Sequence, residues 1–491
     1  MSIKDITIIH SNDMHGHFVG EKDENGKLKG SLAQVSGFVN KIKSENPNAI
    51  YINAGDAFQG SLLDSDFLGL STANMLNMID MDIFALGNHE LDYGISHMLF
   101  VDKCLDAQIV NTNFKVKGKE VHLFKPYHVM NINGMNVLFI GLLTKNIADQ
   151  TKTEGLVGSL VEIASTPTEI NKIYERLARK NKHIDMTVLV THIGYEADVK
   201  LARSLGPELG IDVIVGAHTH TYLEQPVVEN GILIVQAGME NTHIGLLDMK
   251  FDTDKGKVVD YKYELVPVDE EHCPTDLMTR AMVSTYALDI DEKYSKLVTR
   301  LSRKLDNNGR TNPTEVGQLF ADAFYESLPG IDGFLLASSS TRCYSLDMTV
   351  TLQDLREAYP YDGKIFKFTV DGAQLRQMLT HALRDDVIIR IQETMFQTSR
   401  TIHIEYSKSK HEITKLTVNG EPVEDDKHYV LAMQEFYFMN SEIGLGIKPE
   451  ELQKYGEIKT ISVDAFQTLH DWMSEHKNAG GPIDDRLIIG D

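Results

Sequence analysis

Short apolar runs that each end in a polar motif recur through the first half of this 491-residue chain. They are rich in Ile, Val and Leu, and helical patterns at residues 32–44 and 71–79 lie between some of them. The predicted strands cover residues 6–10, 49–53, 83–86, 137–142, 186–191, 213–215 and 232–236. Continuous apolar strands that alternate with helices predict an α/β layered domain.

The pattern of the chain changes after Pro267. Residues 275–301 contain no Gly or Pro and have helical spacing, which predicts a connecting helix. Residues 315–328 form a predicted amphipathic helix with Thr314 as its cap. Strands are predicted at residues 365–370, 401–406, 415–418 and 429–432, with hairpin turns at Asp371-Gly372 and Asn419-Gly420. We therefore expect this half to be α+β.

Five polar motifs follow predicted strands of the first half directly. They are Asn12-Asp13-Met14-His15-Gly16-His17, Gly55-Asp56, Gly87-Asn88-His89-Glu90, Thr191-His192 and Gly216-Ala217-His218-Thr219-His220. In open α/β sheets, ligands gather outside the carboxyl ends of the strands. We therefore expect the five motifs to share one crevice.

The residue types in these motifs suit two divalent cations, which take carboxylate, amide-oxygen and imidazole ligands. Such a pair polarises a phosphate ester and activates water, and a shared carboxylate fixes the metal separation. Asp13 and His15 reach one ion only on extended or looped backbone, because residues i and i+2 point apart on a helix. His218 and His220 have the same spacing, and alone they also fit a polar turn. Five motifs in this order favour a metal site.

These motifs resemble those of calcineurin-like metallophosphoesterases. The whole chain resembles the two-domain 5′-nucleotidase family, which includes UDP-sugar hydrolases and 2′,3′-cyclic-nucleotide phosphodiesterases. The match rests on Ile8 to Asp13, Asn53 to Asp56, Leu86 to Gly94 and Asn111 to Phe114. The resemblance implies a layered β-sandwich flanked by helices, with a smaller α+β C-terminal domain. We expect a metallophosphoesterase domain over residues 1–270, a linker helix over 271–305 and a 5′-nucleotidase-like substrate domain over 306–491.

The resemblance also implies a role for each residue of the metal site. Asp13, His15 and His220 would bind the first metal, and several family members have Gln in place of His220. Asn88, His192 and His218 would bind the second metal, and Asp56 would bridge the two. The ligand set is compatible with Mn²⁺, Zn²⁺, Fe²⁺, Co²⁺ and Mg²⁺.

Two residues beside the predicted ligands carry catalytic roles by the same resemblance. His89 would stabilise charge on the phosphoryl group or protonate the leaving group. Asp92 would orient that imidazole, as a buried carboxylate does for other catalytic histidines. A turn or helix-cap role is the alternative for Asp92.

The predicted substrate-binding residues lie in the second half, where the family sequence pattern is only partly kept. Residues 338–342, Ser-Ser-Ser-Thr-Arg, stand where the family has an Asn-Gly-Gly-Gly-Ile-Arg loop, so only Arg342 is retained. Tyr361 and Phe436 fall at the positions of two aromatic rings that sandwich a base. Glu442 stands at a position that is usually Asp. Core packing of both aromatics is the alternative.

Net charge limits the partners of the chain. The 71 acidic and 48 basic residues give a formal charge of −23. Such a field repels nucleic acid, anionic membranes and free nucleotides, unless bound cations reverse it locally. No apolar run approaches the ~18 residues of a membrane span. The resemblance implies a small nucleotide or related phosphoester as the substrate. From the charge and the lack of a membrane span we expect neither nucleic acid nor a membrane as partner; the oligomeric state stays open.

Cysteine usage and the N-terminal sequence bear on location. The three cysteines, Cys104, Cys273 and Cys343, are odd in number and far apart, which suits a reducing compartment. The N-terminus has no long apolar segment followed by small residues. A cytoplasmic protein is the expectation.

Three other functions remain open at this point. One is hydrolysis of a phosphoester that is not a nucleotide. Another is a nucleotide-binding sensor with slow turnover, although the intact Asn88, His89 and Asp92 argue against it. The last is hydrolysis of a non-phosphate ester, as in related thiosulfohydrolases.

Overall fold

The computed structural model describes residues 3–24, 26–145, 161–206, 209–309, 311–384, 387 and 395–490. The chain forms two compact units, Met1–Ile290 and Asp291–Asp491. Among the helices that the structure describes, none has both the length and the apolar character needed to cross a membrane.

Two six-stranded sheets build the N-terminal unit. In spatial order, the first sheet consists of Lys257–Pro267, His243–Asp252, Ile3–Ser11, Ala49–Asn53, Ile83–Ala85 and Gln108–Val110. The second consists of Val227–Glu229, Ile232–Val235, Ile211–Val215, Met186–His192, Met135–Leu143 and Tyr127–Ile132. Four neighbouring strands of each sheet run parallel. Short ribbons pair Phe114–Val116 with Val161–Ile163 and Glu21–Lys22 with Leu28–Lys29.

The two sheets pack face to face. Alternate residues of a strand point to opposite sides, so one face of a sheet can contact the other sheet while its second face contacts helices. Ile8 of the first sheet and Val188 of the second lie in one buried cluster between the sheets. Ile9 points the other way and packs with helix Leu32–Glu45. Further helices described in this unit are Leu62–Ser65, Leu70–Leu76, Ile95–Val101, Thr166–Arg179 and Tyr195–Ser204, with a 3₁₀ turn at His89–Leu91. The predicted α/β sandwich flanked by helices is therefore confirmed.

A five-stranded sheet organises the smaller C-terminal unit. Its spatial order is Phe396–Thr398, Gly333–Ala337, His428–Gln434, Ile365–Asp371 and Lys459–Ser462. A second sheet contains Glu421–Pro422, Glu412–Val418, Ile402–Ser407 and Leu487–Gly490. The helices are Glu315–Ser327, Leu352–Ala358, Gly372–Ala382, Glu435–Met439, Ser441–Leu445 and Ala465–Glu475, with 3₁₀ turns at Ser338–Ser340 and Glu451–Gln453. Short ribbons pair Leu297–Arg300 with Thr349–Thr351 and Leu305–Asp306 with Ser345–Leu346. The predicted α+β class is confirmed.

The predicted connecting helix is shorter than its sequence pattern indicated. It spans Leu277–Tyr294, and the prediction was wrong beyond that point, because residues Leu297–Arg300 form a strand paired with Thr349–Thr351. The boundary between the two compact units, after Ile290, falls inside this helix. The domain limits at residues 270 and 306 stay a prediction.

One of the two predicted hairpin turns was wrong. Asp371 caps helix Gly372–Ala382 instead, and its side chain accepts a hydrogen bond from the Gln374 backbone N–H at 2.7 Å. Asn419 and Gly420 do form a hairpin turn, with φ values of 55° and 82°. Both the Asp-Gly and the Asn-Gly pair thus stand at the end of a strand. After Asp371 a helix follows, because the Asp371 side chain caps its N-terminus.

The Thr314 cap gives a direct test of the C-terminal fold. Its hydroxyl accepts the Gly317 N–H at 3.0 Å in a buried setting. We expect Thr314→Ala to lower the free energy of unfolding of this unit by about 1 kcal/mol in denaturant titrations. Thr314→Ser keeps the hydroxyl and is the matched control. Equal stabilities of the two variants would contradict the capping role.

Candidate metal centre

Five parallel strands bring the five polar motifs to one end of the sandwich. Strands Ile3–Ser11, Ala49–Asn53 and Ile83–Ala85 are parallel neighbours in the first sheet. Strands Met186–His192 and Ile211–Val215 are parallel neighbours in the second. The carboxyl ends of parallel strands meet at one edge of a sheet, so the loops that follow them can share a crevice.

The side chains of these loops converge closely. Asp13, His15 and His220 each offer a ligand atom within 4.8 Å of the others, and so do Asp56, His192 and His218. Nε2 of His15 lies 3.1 Å from Nε2 of His220. A third set, which joins the two, contains His15, Asp56 and His89.

Asp56 therefore occurs in two overlapping sets of possible ligands. Asn88 precedes His89, whose backbone N–H donates to Asp56 Oδ1 at 2.9 Å. The structure thus brings the six His and Asp ligands predicted from the sequence together, with Asn88 beside them. Their division between two separate ions stays a prediction.

An uncommon backbone conformation makes this convergence possible. Five of the predicted ligands, which are not glycine, have φ in the left-handed region: Asp13 (50°), His15 (49°), Asp56 (53°), His218 (80°) and His220 (53°). Each such residue costs on the order of 1–3 kcal/mol, and residues of this kind cluster at functional sites. The looped backbone expected for the two residue pairs is present, and it turns side chains at i and i+2 toward a common point.

Backbone carbonyls orient two of the imidazoles. Nδ1 of His15 donates to the Gln59 carbonyl oxygen at 3.2 Å, and Nδ1 of His192 donates to that of Ala54 at 3.0 Å. In each ring Nε2 remains as the metal-binding nitrogen. This outer contact is the usual one for a metal-bound histidine.

The donor set fits a divalent cation. Asn88 Oδ1 and His192 Nε2 are buried and have no hydrogen-bond partner among the described residues. His192 Nε2 lies 3.0 Å from Asp56 Oδ2, but without the direction of a hydrogen bond. Buried polar atoms are costly unless they are paired, and metal coordination is one way of pairing them. The mixed N and O donors suit divalent cations.

The charges of the crevice act on its titratable groups. Burial alone would lower the pKa of His192, but the Asp56 carboxylate outweighs it and raises that pKa to about 10. The same burial disfavours a charged Asp56, yet His192 lowers the pKa of Asp56 overall. A cation at this site competes with the proton for the His192 lone pair, so metal binding is expected to release protons.

His89 and Asp92 form a pair beside the ligands. Nδ1 of His89 lies 2.8 Å from Oδ2 of Asp92, whose side chain is fully buried. Burial opposes protonation of His89, but the bond to Asp92 and the charges of the nearby carboxylates together outweigh it and raise the pKa of the imidazole. Asp92 does lie in a turn, and its carboxylate also contacts the ring. Its role in orienting a catalytic imidazole stays a prediction.

Glu90 has a structural role that the sequence analysis did not assign. Its carboxylate accepts the backbone N–H groups of Asp56 at 3.0 Å, Ala57 at 2.8 Å and Gly87 at 2.5 Å. Burial and then the Asp56 charge raise its pKa to about 7. Glu90 therefore ties the loop that carries Asp56 to the loop that carries Asn88. The local sequence offered little signal, because Glu90 stands in a polar motif between His89 and Leu91. A buried Glu needs several donors, and only the fold shows that Glu90 is buried.

Asn12 fixes the first predicted ligand in a similar way. Its amide nitrogen donates to Asp13 Oδ2 and to the Gly238 carbonyl, both at 2.7 Å, and its oxygen accepts Ala237 N–H at 2.8 Å. Asn12 belongs to the first polar motif, but no role was predicted for it. Gly238 and Ala237 lie more than 220 residues away in the chain, so no local pattern reveals them.

The predicted substrate residues belong to the C-terminal unit. Strand His428–Gln434 is parallel to Gly333–Ala337 and antiparallel to Ile365–Asp371. Residues 338–342 and 435–437 therefore leave the sheet at the same end at which residues 359–364 enter it. The structure thus brings the segments that carry Arg342, Tyr361 and Phe436 to one edge.

The predicted substrate-binding side chains differ in their contacts and in their exposure. Arg342 Nε donates to the Tyr361 hydroxyl at 2.7 Å. The Phe436 side chain is 67% exposed, which excludes core packing for that ring, whereas Tyr361 is partly buried against the core. Glu442 is exposed, with Lys448 at 3.9 Å as its ionic partner among the described residues. Substrate binding by these four residues stays a prediction.

Comparisons with known proteins agree with this architecture. Residues 6–222 match the calcineurin-like phosphoesterase family, and residues 293–443 match the 5′-nucleotidase C-terminal domain. The 5′-nucleotidase of Mus musculus is 24% identical over 510 residues, which cover 92% of this chain and 85% of that protein.

Two further relatives differ in how much of each chain they share. Endonuclease YhcR of Bacillus subtilis is 25% identical over 401 residues, which cover 76% of this chain but 32% of that protein. This chain therefore spans about a third of that relative. The crystal structure of a 5′-nucleotidase precursor from Thermus thermophilus aligns with a TM-score of 0.66, 22% identity and 99% coverage of both chains. That likeness shows a shared fold.

Removal of the Asp56 charge tests the centre directly. Asp56→Asn keeps the shape but loses the anion that two sets of ligands share, so we expect metal content after dialysis to fall well below that of the wild type. Metal analysis by plasma mass spectrometry measures it. Asp106→Asn removes an exposed carboxylate and is the matched control. Full metal content in Asp56→Asn would contradict the assigned position of Asp56.

Proposed function

Because this chain belongs to the two-domain 5′-nucleotidase family, we propose that its substrates are nucleotides and that two divalent cations serve the reaction. The coarser activity, metal-dependent hydrolysis of phosphoric esters, follows from the family itself. The observation that carries the finer proposal is that a carboxylate oxygen of Asp56 lies within 4.8 Å of a ligand atom of His15, which belongs to one predicted ligand set, and of His192 and His218, which belong to the other. A carboxylate shared in this way supports two neighbouring cations.

Each residue of the centre has a distinct task in this proposal. Asp13, His15 and His220 would hold one cation, Asn88, His192 and His218 would hold the other, and Asp56 would bind both. When bound, the cations supply Lewis-acid polarisation of the phosphoryl group and activation of water. The left-handed loops and the Gln59 and Ala54 carbonyls fix the ligand directions in advance. This arrangement lowers the reorganisation that the reaction requires.

His89 handles the proton at the leaving group. Asp92 holds Nδ1 of the ring and raises its pKa. The proton on Nε2 is then available to a phosphoryl oxygen or to the leaving oxygen. General acid catalysis of this kind contributes about 10²–10⁴-fold in rate.

Nucleotides are the substrate class that the C-terminal unit favours. The exposed Phe436 ring offers a face on which a base can stack, and Arg342 offers a cation for an anionic group. The formal charge of −23 weighs against long polyanions. We further propose that the protein acts in the cytoplasm on a small phosphoester. We propose that neither nucleic acid nor a membrane is its partner.

Hydrolysis of a substrate panel, with the products separated by chromatography, tests the proposal. Metal-stripped protein is given Mn²⁺ or Zn²⁺ with 5′-, 3′- and cyclic nucleotides, UDP-sugars, single-stranded DNA and an aryl phosphate. We expect metal-dependent hydrolysis of one nucleotide class. Hydrolysis of the aryl phosphate alone would reject nucleotides and keep the metal chemistry, whereas hydrolysis of none of them would contradict the proposed activity.

The His89 role has its own test. We expect His89→Ala to retain its metal content and to lose about 10²–10⁴-fold in kcat, because the ring holds a proton and binds no metal in our assignment. His183→Ala removes an exposed imidazole far along the chain and is the control. Full turnover by His89→Ala would show that the role is wrong.

The Phe436 role is separable from the chemistry. We expect Phe436→Ala to raise KM for a nucleotide roughly tenfold, as loss of a stacking contact of ~1–3 kcal/mol implies. The kinetic constants for glycerol phosphate, which has no aromatic ring to stack, should not change. Phe100→Ala, at another exposed ring, is the control. An equal effect on both substrates would contradict base stacking.

A further inference from the structure

Asp64 is a buried carboxylate to which neither the sequence nor the proposed chemistry gives a task. It lies on the short helix Leu62–Ser65, eight residues after Asp56, and its exposed fraction is 0%. No Lys or Arg forms an ion pair with it among the described residues. Its charge is instead met by three hydrogen bonds, from Gln59, Thr72 and Tyr93. A buried anion held only by such donors is costly and calls for a reason.

The first bond leads to a predicted metal ligand. Oδ2 of Asp64 accepts the Gln59 backbone N–H at 2.8 Å. Gln59 has a left-handed φ of 59°, and its carbonyl oxygen accepts the Nδ1 proton of His15 at 3.2 Å. Asp64 thereby fixes the residue whose carbonyl aims the His15 ring. Outer contacts of this kind are typically worth about 10–100-fold in metal affinity or activity.

The second bond leads to the catalytic pair. The Tyr93 hydroxyl donates to the same Oδ2 atom at 2.7 Å. Tyr93 directly follows Asp92, whose carboxylate holds Nδ1 of His89 at 2.8 Å. One oxygen atom therefore anchors both the segment that aims His15 and the segment that aims His89.

The third bond leads away from both segments. The Thr72 hydroxyl donates to the other oxygen, Oδ1, at 2.5 Å. Thr72 lies on helix Leu70–Leu76 and is fully buried. It binds the oxygen atom that neither the His15 path nor the His89 path uses, so it provides an internal control.

We propose that Asp64 is a positioning residue that couples the direction of the metal ligand His15 to that of the proton donor His89. The catalytic part of this inference rests on the proposed function, whereas the metal-binding part rests only on the geometry. Oδ2 sets both directions at once, so a metal-bound His15 and a correctly placed His89 are formed together.

Four variants separate the two paths. Asp64→Ala removes both anchors, Tyr93→Phe removes only the path to His89, and Thr72→Ala removes only the third bond. Asp64→Asn keeps an oxygen that accepts from Gln59 and Tyr93, while its amide can donate to Thr72. It is therefore the conservative variant that should restore function.

Two readouts are measured on the full chain. One is the affinity and absorption spectrum of Co²⁺ added to metal-stripped protein, which reports ligand geometry without turnover. The other is kcat and KM for the best phosphate ester of the panel. We expect Asp64→Ala to lose about 10–100-fold in Co²⁺ affinity, with an altered spectrum, and about tenfold or more in kcat. Asp64→Asn should stay within about threefold of the wild type in both.

The single-path variants then decide between coupling and general destabilisation. We expect Tyr93→Phe to lose about tenfold in kcat with unchanged Co²⁺ affinity and KM. Thr72→Ala should change neither readout, even if its melting temperature falls. Unchanged Co²⁺ affinity in Asp64→Ala, or equal losses in Tyr93→Phe and Thr72→Ala, would overturn the proposal.

Failures of the fold and of the proposed function remain distinguishable from failure of this inference. If Asp64→Ala does not fold, the contrast in kcat between Tyr93→Phe and Thr72→Ala decides. If the wild type hydrolyses no phosphate ester, the proposed function fails, and the Co²⁺ affinities of Asp64→Ala and Asp64→Asn decide the positioning role alone.

Discussion

The structure of the N-terminal unit depends on two buried, acidic side chains that lie close together in one crevice. The carboxylates of Asp13 and Asp56 both approach Nε2 of His192, at 3.9 and 3.0 Å, and neither is exposed by more than a few per cent. Like charges in a poorly solvated site repel each other strongly. Divalent cations remove that repulsion and give the surrounding imidazole and amide atoms their partners. The crevice therefore suits a divalent cation, and a bound cation would supply the chemistry with phosphate esters.

The sandwich supplies the rigidity that such a site needs. Parallel strands from both sheets end together, and five non-glycine residues in their loops adopt left-handed φ values that an isolated chain would avoid. Buried polar contacts hold these loops in place: Glu90 joins two of them through backbone N–H groups, and Asn12 ties Asp13 to residues 237 and 238. The Asp64 bonds add a third tie, between residues 59 and 93. The buried hydrogen bonds thus hold the ligand loops in their strained backbone conformations.

Sequence periodicity predicted the parts of this fold that are continuous and apolar. The central strands at residues 49–53 and 186–192 were found almost to the residue, because buried parallel strands have unbroken Ile, Val and Leu runs. Edge strands such as Lys257–Pro267 were missed, since charged and apolar residues mix on a strand that is largely exposed. The cap at Asp371 was missed although its capping box with Gln374 is a local signal. The end of helix Leu277–Tyr294 depended on strand pairing that local pattern does not reveal. Likewise, the ligand residues could be predicted from their motifs, whereas Glu90, Asn12 and Asp64 act through partners that only the folded chain brings near.

Anomalous diffraction from crystals of the metal-loaded protein tests the central claim most directly. If two cations share Asp56, we expect two peaks about 3.5–4 Å apart, with Asp56 between them. One peak should lie about 2.0–2.2 Å from ligand atoms of Asp13, His15 and His220, and the other at that distance from Asn88, His192 and His218. Peaks away from these side chains, or a single fully occupied site without Asp56 among its ligands, would contradict it.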